Sequence, residues 1–309
     1  MRIDVHHHVI PPAWSSALAG RGLLTGGIAV PDWSLRAARD LMEAQRISSA
    51  VLSVSAPGVH LGDDAEARRL AREVNEYSAE IVKDDPRRFG FFASAPLPDV
   101  DGAVAEAVHA LDELGADGVV LLGNARGRYL GDPGFDPLWA ELDRRRAVVF
   151  VHPTDLPGTG PGDGAFAAHA DFLLDTTRSV LSMIRSGIPT RYPQVKIVLS
   201  HAGGFVPYAA HRIAAGFAMQ DKDLGVLTDV LEQLRGFYFD VALSAPSALP
   251  SLLAFARPEH VLYGSDWPMN PAVGVGYFTG NLESHALDPE LREAIDFRNA
   301  LSLFPRFAE

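Results

Sequence analysis

The sequence predicts an α/β fold, specifically a (β/α)8 barrel. Short apolar runs rich in Val, Ile and Phe recur along the 309 residues. They are apolar on both faces, as parallel strands buried on both sides are. Amphipathic helical stretches alternate with them. Eight such alternations leave a closed barrel or a doubly wound sheet, and the strand count favours the barrel. No Gly-x-Gly-x-x-Gly follows the first run, which weakens the nucleotide-binding alternative.

In order, the expected strands are Ile3–His6, Ala50–Val54, Phe89–Ala93, Gly118–Leu122, Val148–Val151, Ile197–Leu199, Phe237–Val241 and Val261–Tyr263. The expected helices are Ser34–Arg46, Asp63–Lys83, Val100–Leu114, Leu138–Arg145, Asp171–Ser186, Phe205–Phe217, Leu224–Leu234 and Ser247–Phe255. Asp136-Pro137 and Asp288-Pro289 each read as an N-cap followed by proline at the first helical position. The stretches Val9–Trp33 and Thr154–Phe166 read as insertion loops, the second rich in Gly and Pro. Residues 1–309 are expected to form one domain, since such barrels take about 250 residues and carry insertions.

Composition narrows the function. With 27 basic and 39 acidic residues the net charge is −12, which argues against nucleic acid and against an anionic membrane surface. The absence of cysteine removes disulfides, thiol nucleophiles and Cys-type metal sites together. No run approaches the ~18 apolar residues of a membrane span, and a soluble, cytoplasmic protein is expected.

Barrel active sites form at the C-terminal ends of the strands. The first run ends in His6-His7-His8, the fifth in His152-Pro153, the sixth in Ser200-His201-Ala202-Gly203-Gly204, and the eighth in Gly264-Ser265-Asp266-Trp267-Pro268. With period-two alternation, an inward His6 implies inward Asp4 and His8, with His7 facing the helices. Imidazoles and a carboxylate converging on one point suit a divalent metal. Zinc fits histidine-rich ligation, and the carboxylate leaves manganese open. Asp4 is expected to orient the ligands of the first strand.

Together these motifs resemble the amidohydrolase superfamily. Within it they look like the branch of aminocarboxymuconate-semialdehyde decarboxylase and of decarboxylases of hydroxylated aromatic acids. The resemblance runs from His6 to Asp266. It implies metal ligation by His6, His8, His152 and Asp266, with His201 as acid/base alongside Asp266. It implies that Arg212 holds a substrate carboxylate, in some relatives across a dimer interface, so a homodimer is expected. Binuclear members place a bridging lysine on strand four. The only lysines here are Lys83, Lys196 and Lys222, none of them on that strand, so one metal ion is implied.

Arg126 and His60, in loops after the fourth and second strands, and Trp267 are further candidates to contact substrate. The activity implied is non-oxidative decarboxylation of a small hydroxyaromatic or enoic acid. The same residues could hydrolyse a lactone, ester or amide, and the motifs alone do not separate the two.

Overall fold

The computed structural model describes residues 1–158 and 167–308. Eight parallel strands form one sheet, with a short antiparallel hairpin beside it. The sheet strands are β1 (Ile3–His8), β2 (Ser49–Ser53), β3 (Phe89–Ser94), β4 (Gly118–Leu122), β7 (Val148–His152), β8 (Lys196–Leu199), β9 (Tyr238–Asp240) and β10 (Val261–Leu262). The hairpin pairs β5 (Asn124–Ala125) with β6 (Arg128–Tyr129). Backbone bonds bring β1 and β10 together: Val5 N donates to Tyr263 O (3.0 Å) and Asp266 N to His6 O (2.8 Å). The sheet is thus a nearly closed barrel with helices outside it, as the alternation predicts.

The barrel interior is filled by Ile3, Val5, Val51, Phe92, Val120, Phe150, Val198 and Leu262. Phe304 and Phe307 pack onto the same cluster, and Arg306 beside them pairs with Asp117 just before β4. The C-terminal segment therefore plugs the N-terminal end of the barrel and leaves the opposite end for chemistry. Between strands the helices bury one stripe each. Helix Asp64–Asp84 buries Leu70, Ala71 and Val74, and Asp63 caps it by accepting from Glu66 N (2.8 Å).

Most expected boundaries lie within two or three residues of those observed, and four departures have physical causes. Helix Ala272–Ser284 was not anticipated because it carries Gly274, Gly276 and Gly280, poor helix formers; it forms where Val275, Thr279 and Leu282 bury against the barrel. The first insertion is not all loop. Pro12–Ala19 is helical with Trp14 and Leu18 buried, and Trp14 Nε1 donates to Gly58 O (2.8 Å), bracing the loop after β2. Asp136 is not an N-cap but the first residue of its helix, following a 3-10 turn capped by Asp132. Of the second insertion, residues 154–158 are described, while 159–166, including Phe166, lie outside the described residues.

The fourth departure concerns β1. Asp4 lies opposite Ala50 while His7 lies opposite Leu52, so three steps on β1 match two on β2. This is a bulge, and it changes the parity of the strand. Ile3 and Val5 face the interior, then His6 and His8 do, while Asp4 and His7 share the other face and bond to each other (2.9 Å). The expectation of an inward Asp4 fails at that extra residue.

Gly118 opens β4 between β3 and β7. A Cβ there would collide with the Val148 carbonyl and lie 3.0 Å from the Phe92 ring. Gly118→Ala should therefore lower stability by about 1–3 kcal/mol. Urea denaturation reads this directly, and a loss within ~0.5 kcal/mol would contradict the packing described.

Candidate metal centre and active site

Four side chains reach one point at the C-terminal end of the barrel. One ligand atom each from His6, His8, His152 and Asp266 lies within 4.8 Å of all the others, and all four residues are buried. His6 Nε2 is 3.2 Å from His8 Nε2, and Asp266 Oδ1 is 3.1 Å from the first and 3.0 Å from the second. Two imidazole nitrogens held at zinc–nitrogen distance in a tetrahedral site would be separated by about 3.3 Å. The spacing of His6, His8 and Asp266 matches that edge of the tetrahedron.

The far side of each ring is also occupied. His6 Nδ1 donates to Asp240 Oδ2 (2.8 Å), His8 Nδ1 to the Ser53 carbonyl (3.1 Å) and His152 Nδ1 to the Pro153 carbonyl (2.8 Å). With Nδ1–H committed outward, the Nε2 atoms face the centre, the ring orientation that metal ligation needs.

The protein's own electrostatics point the same way. Burial alone would strip the proton from His6, but Asp240 and Asp266 outweigh it and push its pKa up to about 10. Burial lowers the pKa of His8, and burial together with the neighbouring imidazoles His8 and His6 lowers that of His152 well below the usual range. Asp266 is held well below the usual carboxylate range: burial opposes this, but His6 and the bonds from His201, His6 and His8 prevail. The centre is thus a carboxylate among imidazoles, two of them neutral and ready to ligate.

His201 follows β8 and is 7% exposed. Its Nε2 lies 3.5 Å from Asp266 Oδ2, and among the described residues its buried Nδ1 has no partner. Its backbone is left-handed (φ 51°), as are Ala202 (φ 55°) and Asp266 (φ 62°), a strained cluster of the kind that functional sites hold. Asp240 steadies it: Oδ1 accepts from His201 N (3.0 Å) and Ala242 N (2.9 Å).

The other candidates separate. His60 and Arg126 both line a cavity of about 410 Å³ beside the cluster. His60 Nε2 is held by Asp64 (2.8 Å), and Arg126 is exposed at the mouth. Trp267 does not line that cavity. Its ring packs on His7 (4.9 Å between centroids) and against Ala38, Leu41 and Val275, because the chain pairs Trp267 with outward-facing His7. Its expected place in the pocket wall is corrected to a buttress behind the ligands. Arg212 is exposed on helix Val206–Asp221 and reaches none of the cluster.

Two buried acids escaped the sequence reading. Asp240 lies inside the seventh apolar run, Phe237–Val241, with no histidine beside it in the sequence to mark it. Asp175, on helix Phe172–Arg185, carried no such mark either. Its Oδ1 accepts from Asn124 Nδ2 (2.8 Å) and its Oδ2 from Thr154 N (3.0 Å), so it ties together two loops that line the cavity. Burial pushes its pKa up to about 6.

A family model of amidohydrolases, Amidohydro_2, matches residues 3–306. The chain belongs to this family. It is 41% identical over 316 residues to a 6-methylsalicylic acid decarboxylase of Penicillium expansum, covering 99% of this chain and 96% of the relative. Among solved structures, an amidohydrolase II protein superposes with TM-score 0.92 at 33% identity over 99% of this chain and all of that one. A dihydroxybenzoic acid decarboxylase of Polaromonas sp., solved with manganese and the inhibitor 2-nitroresorcinol, shares the fold (TM-score 0.82, 24% identity, 98% and 96% covered). The family expected from the motifs is therefore the family found. No helix among the described residues is long and apolar enough to cross a membrane.

Asp240→Asn preserves the shape of the side chain but sets an NH2 against His6 Nδ1–H or removes an acceptor from the His201 turn. Metal affinity should fall roughly 10–100-fold, measured by competition with a chelator; unchanged affinity would remove Asp240 from the site. Asp175 gives a second test. Its folded pKa of about 6 exceeds its ordinary value of 3.8. The folded state thus favours the protonated form, and the associated stability is present below pH ~4 and lost as pH rises through ~6. That two-unit difference amounts to about 2–3 kcal/mol. Denaturation of wild type and Asp175→Asn across pH 4–7 should show the wild type losing this much relative to the variant; parallel curves would refute it.

Proposed function

We infer that the chain is a metal-dependent, non-oxidative decarboxylase of a small hydroxylated aromatic acid, a carbon–carbon lyase. The observation that carries this is the buried His6, His8, His152 and Asp266 cluster with His201 beside it, in a chain 41% identical over nearly its whole length to a 6-methylsalicylic acid decarboxylase. A hydrolase would use the same side chains; the decarboxylases among its relatives favour the lyase.

His6, His8, His152 and Asp266 would hold one divalent ion. Three imidazoles favour zinc, and the manganese in the Polaromonas structure makes that ion the competitor. When bound, the ion supplies a Lewis acid that anchors the substrate carboxylate and its neighbouring hydroxyl. The side chains handle the proton. His201 Nε2 and Asp266 Oδ2, 3.5 Å apart, hold it beside the ring carbon that bears the carboxylate. Its transfer forms a C–H bond at that carbon. The bond to the carboxylate then breaks, its electron pair restores the aromatic ring, and carbon dioxide leaves. Solvent returns the proton to His201, so carboxylate plus proton gives arene plus carbon dioxide.

Arg126, exposed in the lining of the cavity that His60 also lines, would attract an anionic substrate. Arg212 has a different place. Tyr208, Arg212 and Met219 fall on one exposed face of helix Val206–Asp221, with Tyr208 85% and Met219 76% exposed. That face supports a homodimer in which Arg212 serves the partner's substrate.

Metal-loaded protein should release carbon dioxide from 6-methylsalicylate. His201→Asn should keep its metal and lose about 10²–10⁴-fold in turnover. If the variant retains activity near wild type, the proton belongs to another group. If hydroxybenzoates are inert while a lactone or ester is cleaved, the chain is a hydrolase.

A further inference from the structure

We propose that the cavity beside the metal centre is a specificity pocket for an alkyl substituent longer than methyl, so that ortho-hydroxybenzoates carrying chains of about three to five carbons are better substrates than the methyl compound. This rests on the decarboxylase reading above and adds the substrate class.

The cavity holds about 410 Å³. At protein packing density a heavy atom takes roughly 20 Å³, so a methylated hydroxybenzoate of 11 heavy atoms fills about 220 Å³. Nearly half the space would remain even with the whole acid inside it, so the cavity takes several methylenes beyond a ring anchored at the cluster. The walls are continuous with the ligand shell: Val54 follows Ser53, whose carbonyl holds His8, and Leu122 lies opposite His152 across the β4–β7 ladder. A ring anchored at the cluster therefore has this space as its neighbour. Away from the cluster the lining is mainly apolar, with Val59, Leu97, Leu156 and Pro57 contributing. The charged side chains of the lining, Arg126 and Asp155, are both exposed. An alkyl chain matches these apolar side chains, which it would bury on binding.

The experiment compares kcat/KM of the metal-loaded enzyme for 6-methylsalicylate and 6-pentylsalicylate. Each buried methylene favours binding about fourfold, so the pentyl compound should show a KM lower by about tenfold or more and the higher kcat/KM. Ala95 lines the cavity and is partly buried. Filling the space from there with Ala95→Phe, or more gently with Ala95→Leu, should lower the pentyl-to-methyl ratio of kcat/KM by about tenfold. The milder variant keeps the test valid if the larger one fails to fold. Turnover of the methyl compound with none of the pentyl compound, or a ratio unmoved by both variants, would overturn the pocket and leave the decarboxylase standing. If neither acid releases carbon dioxide, the decarboxylase reading falls and takes the pocket with it.

Discussion

The site depends on one extra residue in the first strand. Without the bulge between Asp4 and His7, an inward Val5 would be followed by an outward His6, and the strand would present at most one imidazole to the barrel centre. With it, His6 and His8 both point inward above Phe150, whose ring meets His6 at 4.9 Å. The displaced Asp4 then works on the outer side. Its Oδ1 accepts from His6 N (3.1 Å) and Ser265 N (3.0 Å), and its Oδ2 from His7 Nδ1 (2.9 Å) and Ser265 Oγ (2.6 Å). One carboxylate thus joins the first strand to the segment after the last. Asp266, the next residue, is held in its left-handed conformation by that junction and by its own bond to His6 O. The closure of the barrel and the geometry of the metal cluster are the same set of hydrogen bonds.

Asp240 does from within what Asp4 does from behind. It spans the gap between His6 and His201, with one oxygen on His6 Nδ1 and the other on the backbone of His201. Two strand ends far apart in sequence are thereby locked at a fixed separation, and the cost of a left-handed His201 is offset by a charge-assisted bond to its N–H. Such rigidity is what a ligand set needs if three imidazoles are to meet without a metal already present to gather them.

Much of this was legible in the sequence because the barrel puts its chemistry where strands stop, and motifs such as Val-His-Pro and Gly-Ser-Asp-Trp-Pro lie at those stops. His6, His8, His152, His201 and Asp266 could be named from position and chemistry. What could not be read were features created by departures from periodicity or by distant partners. The bulge reverses Asp4 without leaving a mark in composition. Trp267 looks like pocket wall in the sequence, yet its strand pairing turns it toward His7. Asp175 serves the site from a helix 51 residues after its partner Asn124, and only the fold brings them together.

Charge balance ties the cluster to its cation. The buried Asp240 and Asp266 both touch His6, and in the protein alone the counter-charge is a proton on that ring, retained up to a pKa of about 10. One positive charge against two carboxylates leaves the buried centre short, and uncompensated buried charge is costly. A divalent ion held there would supply two positive charges and would need His6 neutral at Nε2. His6 keeps its bond to Asp240 throughout, because the proton it surrenders is the one on Nε2 and the one on Nδ1 stays. The arrangement therefore preserves the geometry of the ligands whether the positive charge at the centre is a proton or a metal.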